Sequence, residues 1–167
     1  MIVYDGSPEA DLLLIEWWTR MAATADLDRA FSVVHASVGA FFQSFRPPST
    51  LLYKVEGQRI WFAAWFDPVM NGAFYGLWIA PHMRITMAAL EAVEESIAFG
   101  LSKYPVLIGA TRIPKLARQT ERFGAKVLGD IPKLFDGETA TIGYITAETF
   151  RAPERENNPN PPEVPNG

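Results

Sequence analysis

Residues 79–90 read Ile79-Ala80-Pro81-His82-Met83-Arg84-Ile85-Thr86-Met87-Ala88-Ala89-Leu90. They begin at the end of an apolar run, AFYGLWIA at 73–80, whose length suits a buried strand. From Thr86 the period changes. Leu90, Val93, Ile97 and Leu101 recur at three- and four-residue steps, which predicts a helix over about 86–101 with those residues toward the core. Glu91, Glu94 and Glu95 fall mostly on the opposite side and read as a solvated face. The centre of the chain is thus a strand that passes through a short loop into a helix.

Upstream, TLLYKVE at 50–56 and IWFAAWF at 60–66 read as two more strands, separated by a turn at Gly57-Gln58. The cluster DPVMNG at 67–72 reads as the turn into the third strand, with Asp67 as its cap and Asn71-Gly72 as its strongest signal. The three runs suggest an antiparallel meander covered on both faces. Before them, residues 7–22 read as a helix. Ser7 is a good N-cap, Pro8 suits the first turn, and Glu9 and Asp11 lie where the helix dipole favours acid. Its apolar set, Leu12, Leu13, Leu14, Ile15, Trp17, Trp18 and Met21, is wider than one core stripe. A second helix is expected from near Asp28 to Phe45, stopped by Pro47 and Pro48. Phe31, Val34, Val38, Phe41, Phe42 and Phe45 share one face of it, with His35 at the core's edge. Downstream, PVLIGA at 105–110 reads as a short buried strand. Residues 113–123 read as a helix ended by Gly124, and two last strands fall at about 125–131 and 139–146 around Asp136-Gly137. The expected class is therefore α+β (mixed α/β), with a central, mostly antiparallel sheet flanked by helices.

The whole chain has 167 residues, 49% of them hydrophobic and 20% charged, which suits one packed domain over residues 1–150. The absence of cysteine excludes disulfides, a thiol nucleophile and thiolate zinc ligands. With only His35 and His82 as histidines, no metal site is expected. A formal charge of −4 and no basic stripe argue against a nucleic-acid partner. No apolar run reaches the length of a membrane span, and the amino terminus lacks a basic leader, so the expectation is a cytoplasmic protein with no membrane association. Residues 151–167, RAPERENNPNPPEVPNG, hold five of the thirteen prolines and a single aliphatic side chain, Val164. Such a segment cannot offset its ordering entropy by burial, and we expect a disordered tail.

The stretch quoted first resembles the GNAT superfamily of N-acetyltransferases. In that family the central strand ends in an apolar-x-Pro signature. A loop of the form Arg/Gln-x-x-Gly-x-Gly/Ala follows, and then a long helix. Pro81, Arg84, Ala89 and Leu90 fall where the pattern wants them, while Ile85 and Met87 stand where the family commonly has glycine. Arg118 to Ala125 resembles the family's last helix, which ends in Gly followed by an aromatic; here Ala125 replaces the aromatic. The resemblance covers residues 53–146. The block 107–128 is also similar in character to small GNAT-like proteins carried by tailed bacteriophages, some of them virion components.

The resemblance implies an acetyl-CoA substrate whose pyrophosphate lies over the start of the long helix, held by the unpaired N–H groups of Ile85, Thr86, Met87, Ala88 and Ala89 and by the charge of Arg84. It implies that a main-chain N–H near Trp78, Ile79 and Ala80 polarises the reacting carbonyl. Glycines in the loop give phosphate oxygens clearance, and the side chains of Ile85 and Met87 must either turn into the core or close the pocket. Many members protonate the departing thiolate with a tyrosine four residues before the final glycine. Here that position is Thr120, a poor acid. Residues 73–80 contain no carboxylate, which leaves Tyr75 and His82 as the titratable side chains in or beside the strand. The family's first two helices line the acceptor site. Trp17, Trp18, Phe31 and Phe42 are candidates for that lining, for core, or for a subunit interface.

Two functions follow from the resemblance. One is an N-acyltransferase moving an acetyl group from acetyl-CoA to a small-molecule or protein amine. The other is a non-catalytic GNAT-like phage protein. It would act in the host cytoplasm or in the virion, with a virion partner or a second copy of itself.

Overall fold

The computed structural model describes residues 1–23, 37–84, 86–135 and 137–152, with the side chains of residues 114, 115 and 135 outside the description. Seven strands form one sheet in the order β1-β2-β3-β4-β5-β7-β6. They are β1 (Ile2–Val3), β2 (Thr50–Glu56), β3 (Arg59–Val69), β4 (Gly72–Ile79), β5 (Val106–Thr111), β6 (Lys126–Phe135) and β7 (Glu138–Thr146). The helices are α1 (Pro8–Ala23), α2 (Val38–Gln43), α3 (Met87–Lys103) and α4 (Pro114–Thr120). All neighbouring strands are antiparallel except β4 and β5. The mixed class and the mostly antiparallel sheet thus match the expectation.

One expected boundary moves, and two expected segments lie wholly or partly outside the described residues. The 67–72 cluster is not a loop, because β3 runs on to Val69 and the hairpin turns on Met70 and Asn71 alone. Asp67 therefore lies within a strand, where it accepts a hydrogen bond from the Ser49 hydroxyl at 2.7 Å. The expected second helix is seen as α2, capped by the Ser37 side chain on the Ala40 N–H, and its expected part before residue 37 lies outside the described residues. The expected tail also lies outside them beyond residue 152. Strand β1 went unread because two residues carry no periodicity; only pairing with Leu52 and Tyr53 defines it.

Strand alternation sorts the core into two layers. One face of the β3–β4 pair carries Ala63, Trp65, Gly76 and Trp78, and it meets α1 and α2. The Trp17 ring packs against Phe41 at 5.2 Å and Trp78 at 5.6 Å. Helix α1 buries Ala10, Leu14, Trp17 and Met21, a stripe at helical spacing, and leaves Leu12 and Ile15 in solvent. The wide apolar face read from the sequence is thus a narrow core seam. Trp17 is fully buried, which assigns it to the core and removes it from any exposed interface.

The other face carries Phe62, Ala64, Phe66 and Tyr75 beneath α3. The buried side of α3 is Ala89, Ala92, Val93, Ser96, Ile97 and Gly100, whereas Leu90, expected in the core, is 39% exposed. Small residues win this face because the helix lies close to the sheet. A methyl group on Gly100 would collide with the Phe66 ring and with Leu107. Glu95, on the solvated side of α3, pairs with Lys54 at 3.0 Å.

Candidate functional site

The one parallel contact in the sheet is also its shortest junction between long strands. Ala73 pairs with Leu107 and Phe74 with Ile108, and there the β4–β5 ladder ends. Beyond it β4 continues to Ile79 bonded only to β3, while β5 continues to Thr111 bonded only to β7. The two strands part, leaving an opening at their carboxyl ends. Ligands in sheets with parallel neighbours bind at such ends.

Main-chain geometry decides which groups face the opening. The Ala80 N–H donates to the Trp61 carbonyl at 2.8 Å, so Ala80 points toward β3. Polar groups alternate along a strand, so Trp78 points the same way and Leu77 and Ile79 face the opening. Two contacts agree with this. The Ile79 carbonyl accepts from Arg84, and the Tyr75 carbonyl stands 3.7 Å from where a Cβ on Gly109 of β5 would be. Of the expected trio, then, Ile79 offers its N–H to the opening, while that of Ala80 is already taken. Leu77 was missed, although a strand running through 73–80 carries this alternation implicitly. The Trp78 side chain is buried on the far face, against Trp17.

The loop beyond β4 forms a 3-10 turn over Pro81–Met83, and α3 follows. Thr86 is the N-cap. Its hydroxyl oxygen accepts from the Ala89 N–H at 3.2 Å and its hydroxyl donates to the Met83 carbonyl at 2.8 Å. The Leu90 N–H is bonded to the Thr86 carbonyl. Among the described residues, the N–H groups of Met87 and Ala88 then remain as first-turn donors without intrahelical acceptors. Thr86 before a periodic run is an ordinary N-cap signal, and from it the loss of Ala89 as a donor was legible in the sequence. The Met87 side chain is 55% exposed, so it does not turn into the core; it stands beside the donors it was expected to obstruct. Ile85 lies outside the described residues. Arg84 is exposed, with its Nε donating to the Ile79 carbonyl at 3.1 Å.

The acid–base candidates separate. Tyr75 shares a hydrogen bond with Ser96 Oγ at 2.7 Å beneath α3, and burial pushes its hydroxyl well above the ordinary tyrosine range. It therefore stays protonated and closed to the opening. His82 is exposed on the turn past the strand end. The Thr120 hydroxyl donates to the Ala117 carbonyl at 2.6 Å, within its own helix. Arg112, the residue after β5, pairs with Glu138 at 3.2 Å; the sequence reading had singled out neither. His35 and Phe31 lie outside the described residues. Among the described residues no group of three or more His, Asp or Glu side chains is placed to hold a metal, and no helix is long and apolar enough to cross a membrane.

In overall structure the chain is similar to a ribosomal-protein-S5-alanine acetyltransferase from Vibrio fischeri, with a TM-score of 0.70 at 11% identity over 89% of this chain and 94% of the other. It is similar to a spermidine N-acetyltransferase from Vibrio cholerae, solved with CoA and spermine, with a TM-score of 0.69 at 10% identity over 89% and 96%. A ribosomal-protein-alanine N-acetyltransferase from Brucella melitensis gives 0.63 at 12% identity over 87% and 99%. The fold is that of the GNAT N-acetyltransferases. Comparison with protein-family models gave no match, and neither did a search of curated proteins at the sequence level.

Proposed function

We propose that the protein is an N-acyltransferase that takes an acetyl group from acetyl-CoA to an amine. The observation that carries this is the parting of β4 from β5 directly below a helix start. One feature leaves main-chain N–H groups of Leu77 and Ile79 facing an opening, where they would polarise a thioester carbonyl. The other leaves the N–H groups of Met87 and Ala88, with Arg84 beside them, as donors for a pyrophosphate. The relatives in fold act on spermidine and on ribosomal-protein alanine, and one was crystallised with CoA, which supports a CoA thioester donor and an amine acceptor. Calorimetry with acetyl-CoA and with desulfo-CoA tests the reading. Micromolar binding of both, followed by acetylation of an amine, supports it; no binding at millimolar ligand rejects it.

A second reading rests on the state of the helix start. Thr86 already caps the Ala89 N–H, Met87 stands at the approach, and Thr120 spends its proton inside α4. These three features suit a chain that keeps the fold without catalysis, such as a phage virion or host-interaction protein. That reading gains if CoA fails to bind while the chain is captured by a protein partner.

A further inference from the structure

A cavity of about 520 Å³ lies away from the opening, and its size suits a small molecule. Its walls come from four places in the chain. Tyr4 follows β1, Asp5 and Asp11 flank the start of α1, Arg46 and Thr50 bracket the entry to β2, and Lys103 ends α3. Helix α3 has 17 residues, so about 24 Å separate Lys103 from the Met87 and Ala88 donors. Strand β3 stands between β1–β2 and β4. The occupant of this cavity therefore does not depend on the acyltransferase reading. Tyr4 sits at the centre of the polar wall. Its N–H donates to the Leu51 carbonyl at 2.9 Å, which pins it to β2, and its hydroxyl donates to Asp11 Oδ1. The Arg46 and Asp5 charges both reach that hydroxyl, the first favouring its ionisation and the second opposing it. Asp5 accepts from the Ser7 N–H at 2.9 Å, and the Lys103 ammonium stands 4.5 Å from the centre of the Phe99 ring.

Among the described residues, none of Asp5, Asp11, Arg46 and Lys103 forms an ion pair. Two carboxylates and two cations thus line one cavity without neutralising each other. Their own neighbours hold them apart: Ser7 and Tyr4 hold the carboxylates, and Phe99 holds Lys103. A solute with one charge would meet a like charge here as well as an opposite one. A solute with both charges pairs with each and leaves the cavity neutral. We propose that this cavity binds a small zwitterion, an amino acid or short peptide, with its carboxylate toward Arg46 and Lys103 and its ammonium toward Asp5 and Asp11. The Arg46 guanidinium supplies a planar fork for the carboxylate. Asp11 spends one oxygen on Tyr4 and offers the other to the ammonium.

Calorimetry on the full chain tests this with glycine, triglycine, N-acetyl-triglycine and triglycinamide, at about pH 6.5 so that both termini of the free peptide are charged. Triglycine should bind with submillimolar affinity, and each singly charged analogue at least about tenfold more weakly. Arg46→Gln and Lys103→Gln each remove one charge at an exposed position. Each should weaken triglycine by about fivefold or more and leave the melting temperature close to the parent's. Saturating desulfo-CoA should leave the triglycine affinity unchanged. N-acetyl-triglycine binding as tightly as triglycine would make this an anion site, and triglycinamide doing so would make it a cation site; either result overturns the proposal. Triglycine binding that ignores both substitutions, or that desulfo-CoA displaces, places the peptide elsewhere and overturns it too. So does a failure of both glycine and triglycine to bind at millimolar ligand.

Discussion

The guanidinium of Arg84 is tied back to the strand it follows, its Nε donating to the Ile79 carbonyl at 3.1 Å. One side chain thereby joins the end of β4 to the start of α3, the two places where a CoA thioester would be gripped. The bond is exposed, so it contributes little to folding; its effect is to hold charge beside the helix start. Replacing Arg84 with alanine should weaken CoA binding about tenfold or more while shifting stability by less than about 0.5 kcal/mol. Lysine keeps the charge but loses the fixed planar donor and should recover only part of the affinity. Calorimetry beside thermal melts measures both; unchanged affinity in Arg84→Ala removes the support for this site.

The Thr86 side chain joins the 3-10 turn to α3 through two hydrogen bonds, beside the main-chain bond from its N–H to the Met83 carbonyl. Thr86→Ala should cost about 1 kcal/mol, as N-cap losses do, and lower Tm by roughly 2–4 °C. Thr86→Ser, which keeps the hydroxyl, should melt close to the parent. Equal melting of all three would mean the cap is not formed in solution.

Alkaline pH should destabilise the protein through Tyr4 and Tyr75, with a further contribution from Tyr53, whose hydroxyl burial also pushes up. Burial, with the hydrogen bond to Asp11 second, raises Tyr4 from 10.0 to about 12, and burial raises Tyr75 further. Above the unfolded value near 10 the native state retains protons that the unfolded chain has lost. Stability is therefore full below about pH 10 and falls as pH rises toward the folded values. Denaturant melts across that range should show the fall, and the Tyr4→Phe, Tyr75→Phe double variant should make it shallower, leaving the part that Tyr53 contributes. An equally steep limb in the double variant would assign the effect elsewhere.

Trp17 has no exposed surface and touches Phe41, Phe45 and Trp78. Trp17→Ala should cost about 3–5 kcal/mol by cavity formation, visible as a large drop in urea midpoint. A melt close to the parent's, with a change in oligomeric state, would make it an interface residue after all.

Gly124 ends the turn after α4 with φ of 86°, and a Cβ there would run into the Thr149 carbonyl. Gly124→Ala should lose both the relaxed left-handed cap and the docking of the chain at Thr149 and Phe150. A cost above about 2 kcal/mol is expected. Hydrogen exchange should show accelerated opening of the last strand and its neighbours; no change in exchange would refute the contact.

Sequence alone determined the order of elements from α1 onward, the mostly antiparallel sheet and the strand-to-helix passage at 79–90, because period, caps and turn residues act over short distances; β1 was left to pairing. Gly124 as a helix stop and Pro8 as a first-turn residue belong to the same local chemistry. Tertiary structure decided the rest. Leu90 and Val93 carry the same period, yet only Val93 is buried, because closeness to Phe66 and Leu107 favours the Ala89, Ser96 and Gly100 side of α3. Trp17 and Ile15 are equally apolar in sequence and differ only in which way the helix is docked. Which main-chain donors are free likewise required the partner strand. Ala80 is spent on Trp61, nineteen positions earlier, and the ladder between β4 and β5 stops after Phe74 and Ile108. Those are relations between residues far apart in the chain, fixed by packing across the sheet.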